Sequence, residues 1–78
     1  MCDDNFHIGK VIKDELGRQE RSIAWLARKI GCDSSSLSRH LKKQYTEMDI
    51  IVRVSVALGH NFGEELLKHI NEKMESAE

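Results

Sequence analysis

The segment Ser22–Lys43, SIAWLARKIGCDSSSLSRHLKK, constrains this chain more than any other part of it. Ile23, Leu26, Ala27 and Ile30 recur at helical spacing behind a serine suited to capping a helix. Gly31 stands where a left-handed backbone would end that helix, because positive φ costs any residue with a Cβ. Asp33 can cap a second helix, its carboxylate also favoured by the positive helix start. The spacing therefore predicts two short helices meeting at a tight turn. On the second, Leu37, His40, Leu41 and Gln44 fall on one side. Ser35, Ser38, Arg39 and Lys42 fall on the opposite side, which is basic, rich in hydroxyls and expected to face outward.

The same periodicity predicts three more helices. Ile8, Val11, Ile12 and Leu16 form a stripe over about Phe6–Leu16, with Gly17 as its stop. Thr46, with Asp49 three residues on, resembles a capping box ahead of Ile50, Ile51, Val54 and Leu58, and Gly59 closes that helix. Asn61 repeats the cap pattern for a fifth helix, in which Leu66, Leu67 and Ile70 are expected inward. Residues 1–5 and 74–78 are expected to fray. The 78 residues contain no proline and little β-branched alternation, so the expected class is all-α, one five-helix domain over residues 1–78. Helices this short are unstable alone and must share a core.

Several function classes are disfavoured. No apolar run is long enough to span a membrane, and the start MCDDNFH lacks the basic flank and apolar stretch of a signal peptide, so a cytoplasmic location is expected. Cys2 and Cys32 belong to no CxxC or Cys/His pattern, and Cys32 is expected as a reduced, partly buried turn residue. His7, His40, His60 and His69 show no i, i+4 pairing, so no metal site is expected. No glycine-rich phosphate loop exists, and helical neighbours assemble no nucleophile with its base. Neither a cofactor nor enzymatic activity is expected.

The net charge of −1 hides an uneven distribution. Residues 18–43 carry seven basic and two acidic side chains, whereas residues 44–78 carry three basic and seven acidic ones. Charges are screened beyond about 8–10 Å, so the local field matters, and a basic centre between acidic flanks suits a polyanion on one face only.

Leu26-Ala27, Ile30-Gly31 and Leu37 match a known helix-turn-helix spacing, with a small residue four positions before the turn glycine and an aliphatic six after it. The later ALGHNFGEELL, Ala57–Leu67, is similar to an ALGVSLDELL type of ending. On these residues the chain, from about Ile8 to Leu67, resembles the lambda-repressor/Cro-like or XRE family of helix-turn-helix proteins, and within it the short Bacteroides-type regulators. The resemblance implies a motif at residues 22–43, a third helix in the major groove of double-stranded DNA, and a role in transcription regulation. Three positions depart from the family pattern. His40 stands where an aliphatic is usual, Ile23 where a phosphate-holding glutamine is common, and Trp25 where a small or polar residue is common.

Candidate roles follow from chemistry and placement. Arg39 can bind guanine O6 and N7 with its fork, and Ser34, Ser35, Ser38 and Lys42 complete a base-readout set. The bland alternatives are a solvated Arg39 paired with Asp33, and serines that only cap and solubilise. Arg21, Ser22, Lys43, Tyr45 and Thr46 are the phosphate candidates, with Arg28 and Lys29 further along as surface charge. One module offers only about 600–1,000 Å² of DNA contact, so a homodimer is expected. Val56, Phe62, Leu66 and Ile70 suggest the fifth helix and its lead-in as the interface. Trp25 is expected either to pack on the first helix or to anchor a protein partner. The competing reading is a protein-interaction module such as an antitoxin, with DNA binding secondary or lost.

Overall fold

The computed structural model describes residues 6–77. They form α1 (Ile8–Arg18), α2 (Ile23–Ile30), α3 (Ser34–Lys42), α4 (Met48–Leu58) and α5 (Gly63–Ser76), with no strand among the described residues. Each of the first four helices contributes one apolar stripe to a common core: Ile8, Ile12 and Leu16; Leu26, Ala27 and Ile30; Leu37 and Leu41; Ile50, Ile51, Val54 and Leu58. Phe62, just ahead of α5, is fully buried and closes the core from that end.

Both motif helices start as their local sequence predicts and α2 stops at Gly31 as expected, but α3 ends at Lys42, so Gln44, expected on its inner side, lies beyond the helix. The Ser22 hydroxyl accepts the Trp25 amide at 3.0 Å, and the Asp33 carboxylate accepts the Ser36 amide at 2.8 Å. Gly31 is left-handed at φ 82°, and its amide and that of Cys32 both donate to the Ala27 carbonyl. Ala27 is buried in the shared core, where a longer side chain would overpack.

Further boundaries differ from expectation, and α1 itself begins at Ile8, behind His7 as its cap, rather than at about Phe6. α1 does not stop at Gly17; it continues to Arg18, and the left-handed residue is Glu20 at φ 59°. There the Glu20 amide bonds the Gly17 carbonyl and the Arg21 amide bonds the Leu16 carbonyl, closing the end as a Schellman turn. Polar contacts favour this longer helix. Glu15, nearly buried, accepts from Arg18 Nε at 3.0 Å and from Gln19 at 2.6 Å, and Gln19 also reaches the Leu58 carbonyl at 2.9 Å.

Thr46 does not cap α4. It is turned inward, its hydroxyl finds no partner among the described residues, and the cap residue Glu47 makes no side-chain cap bond. Asp49 instead meets Arg53 at 3.4 Å, and Arg53 donates to the Ile30 carbonyl at 3.2 Å, tying α4 to the end of α2. Asn61 is not the α5 cap either; its side chain accepts the Gly63 amide at 2.9 Å, and Phe62 occupies the cap position. On α5, Leu67 and Ile70 are exposed rather than inward, because Leu66 and His69 occupy the side that meets the body. The helix also continues to Ser76, past the fraying expected from residue 74. Cys2 and the expected fraying of residues 1–5 lie outside the described residues.

Candidate nucleic-acid interface

What fixes α3 in the molecule is the way α1 and its lead-in grip its C-terminal end. Gly9 is buried against α3, and a Cβ there would come within 1.8 Å of the Leu41 carbonyl oxygen. His7 joins the two helices. Its Nδ1 accepts the Lys10 amide at 3.1 Å, which leaves Nε2 to donate to the Lys42 carbonyl at 3.0 Å. The Ile8 amide donates to the Gln44 carbonyl and the Gln44 side chain donates to the Phe6 carbonyl, both at 2.9 Å. One histidine thus serves an amide in the first turn of α1 and the last carbonyl of α3, groups that helix ends otherwise leave without partners.

With its back held, α3 presents its polar side outward. Ser34, Ser35, Arg39 and Lys42 are exposed and Ser38 is half-buried, while Leu37 and Leu41 are fully buried behind them. Arg39 does not pair with Asp33; its guanidinium donates a long 3.4 Å bond to the Ser36 hydroxyl and otherwise faces solvent. The amide and hydroxyl of Ser36 hold the Asp33 carboxyl below the usual carboxylate range, so the α3 cap stays ionised. His40 is half-buried, with Nδ1 enclosed and without a partner among the described residues. Leu37 and Leu41 keep their core places beside it, so the outward side of α3 follows the expected register.

The phosphate candidates divide. Lys43 is exposed at the α3 C-cap. Arg21 and Ser22 are exposed at the start of α2, with the Arg21 guanidinium 4.4 Å above the Trp25 ring. Thr46 is only 7% exposed, and its enclosed hydroxyl cannot reach a phosphate. Tyr45 is half exposed, but its hydroxyl is engaged with His69 Nε2 at 2.7 Å and serves the attachment of α5. Of the phosphate candidates, Arg21, Ser22 and Lys43 stay on the surface with their polar groups accessible.

Trp25 is half-buried against the core and lies between two cations, Arg21 at 4.4 Å and Lys29 at 5.7 Å. Such contacts are worth about 0.5–1 kcal/mol at exposed sites and keep both cations close to α2. Phe62 is removed from the expected dimer surface by its full burial, and Leu66 is half-buried against the core. Val56 and Ile70 remain exposed. Among the described residues no cluster of His, Cys, Asp and Glu could hold a metal ion, and no helix is long and apolar enough to cross a membrane.

Gly9, His7 and Gln44 hold the C-terminal end of α3 without appearing among the candidate site residues. Their partners lie 32 to 38 residues away, which no local pattern records. Comparison with known proteins finds no matching family model, no similar curated protein and no similar solved structure.

Proposed function

We propose that this chain is a sequence-specific double-stranded DNA-binding protein, a transcription regulator of the lambda-repressor/Cro-like type that sets α3 into the major groove. The observation that carries the reading is the joint exposure of Ser35, Arg39 and Lys42 on a helix pinned from behind at Gly9. A helix about 10–12 Å wide with its side chains matches a major groove about 12 Å wide, provided nothing flanks it on the outward side. Arg39 reads bases, with Lys42 and the serines Ser34, Ser35 and Ser38 around it. Arg21, Ser22 and Lys43 hold phosphates on either side of the groove. The protein works as a homodimer in the cytoplasm and carries out no chemistry of its own.

Binding of mixed-sequence duplex is expected to weaken steeply with salt. Arg21 and Lys43 from two copies, helped by Lys42, make about four to six charged contacts, giving a log–log slope of about −4 to −5. A flat response would overturn the reading. It would favour instead a protein-interaction module such as an antitoxin, for which the exposed apolar side chains of α4 and α5 are the supporting observation.

A further inference from the structure

The arginines of this chain are engaged in different ways. Arg18 gives its fork to Glu15, and Arg53 divides its own between Asp49 and the Ile30 carbonyl. Arg39 has one long bond to the Ser36 hydroxyl. Arg21 pairs with no carboxylate among the described residues, its chain neighbour Glu20 included. Its guanidinium lies instead over the Trp25 ring, 4.4 Å from the centre.

The difference bears on what each arginine can still bind. A guanidinium is planar and carries its N–H donors along its edge. A carboxylate occupies that edge, whereas an aromatic ring attracts the cation through its electron-rich face and leaves the donors uncommitted. Arg21 is thus restrained without being satisfied. A side chain already restrained loses less freedom when a phosphate arrives, and that saving appears as affinity.

The ring can restrain because it is itself held. Trp25 packs against the core with part of its surface, and its amide is capped by Ser22, the residue after Arg21. Lys29, one turn further along α2, lies 5.7 Å from the same ring. A leucine would fill the edge of the core as well, but would offer a cation no such surface.

We propose that Trp25 is a positioning residue of the DNA interface, which holds the Arg21 guanidinium over its ring with the donors free for a phosphate of the duplex backbone. This rests on the DNA-binding reading above and names the residue through which one of its phosphate contacts is prepared.

The test is a double-substitution cycle on the affinity of the full chain for duplex, with Arg21→Ala, Trp25→Leu and the two combined. Arg21→Ala should weaken binding to every sequence and make the salt slope shallower by about 1 per copy. Trp25→Leu removes no charge, yet should weaken binding about two- to tenfold per copy, the cost of ordering one long side chain. In the Trp25→Leu background Arg21→Ala should cost less by the same factor, whereas Lys43→Ala should cost the same in both backgrounds. Trp25→Phe keeps a ring and should preserve most of the Arg21 effect. Losses from Arg21→Ala and Trp25→Leu that simply add would overturn the proposal and leave the DNA-binding reading standing. Side-chain relaxation by nuclear magnetic resonance tests the same point on the unaltered protein, free of any folding defect. The Arg21 Nε–H should be as ordered as that of Arg53 and more ordered than that of the exposed Arg28. Equal mobility of Arg21 and Arg28 would also overturn the proposal. A wild type with no salt-dependent affinity for duplex would overturn both it and the reading it rests on.

Discussion

The third helix is gripped from behind at several points, by the α1 crossing at Gly9, by His7 on the Lys42 carbonyl and by Gln44 on its lead-in. The fifth meets the body through Leu66, Glu65 and His69, with Glu65 joined to His60 at 3.0 Å, Phe6 stacked on the His69 ring at 4.2 Å and Tyr45 bonded to its edge. Yet α5 is the longer helix and carries the larger exposed apolar side chains. Helix length and apolar content do not decide how firmly a helix is placed. Close backbone approach does, and among the described residues it falls on α3, where Gly9 meets the Leu41 backbone.

The largest expected effect comes from breaking the grip on α3. Gly9→Ala would place a methyl group against the Leu41 backbone, which has no flexible end to yield, so α1 and α3 must separate. A loss of about 3 kcal/mol or more is expected in urea unfolding, at the upper end for overpacking. Gly17→Ala is the control on the same helix. Nothing lies within 4 Å of its added Cβ, so it should stabilise by about 0.5–1 kcal/mol. Equal behaviour of the two variants would contradict the close crossing.

Ala27→Leu should come next, costing about 1–3 kcal/mol by overpacking the shared core. Its melting temperature should fall clearly below that of the wild type. On the looser side of the comparison, Tyr45→Phe removes only the bond to His69 and should cost about 1 kcal/mol. Amide exchange in that variant should speed up in α5 and not in α3. Faster exchange in both helices would mean that they are held as one unit.

The mildest effect is confined to acid. Hydrogen bonds from Arg18 and then Gln19 lower the Glu15 carboxyl from 4.5 to about 2. A carboxyl lowered on folding contributes stability above its unfolded value. That contribution is fully present above about pH 4.5 and is lost as pH falls towards about 2. Glu15→Gln should flatten this part of the stability-against-pH curve, and an unchanged curve would show that the α1 end does not depend on the carboxylate.

The sequence was most legible where a feature is settled within a few residues. Ser22, Asp33 and Gly31 cap and turn as expected because each acts locally: Ser22 and Asp33 accept the amides three positions on, and the Gly31 amide donates to the carbonyl four positions back. The outward register of Ser35, Arg39 and Lys42 follows from helical periodicity once Leu37 and Leu41 are buried. Legibility ended where distant parts compete for the same residue. Gly17 has the identity of a stop, but the Glu15–Arg18–Gln19 contacts and the Leu58 carbonyl favour continuing the helix to Arg18. Thr46 has the identity of a cap, but it lies between α3 and α4 and is turned inward. Tyr45 looked available to a phosphate because the partner of its hydroxyl lies 24 residues away. Apolar residues on α5 could not be divided in advance between core and surface, since which side of that helix meets the body is a tertiary property.

The most direct test of the central claim is selection of bound duplexes from a random pool by the wild type, Arg39→Ala and Lys43→Ala, each read at several salt concentrations. Arg39→Ala should lose preference at one base position per half-site, about 1–3 kcal/mol of discrimination. Lys43→Ala should keep the wild-type preference and bind every sequence more weakly, its salt slope shallower by about 1 per copy. Equal loss of base preference in both variants, or a wild type that selects no sequence at all, would contradict the assignment of α3 as the helix that reads DNA.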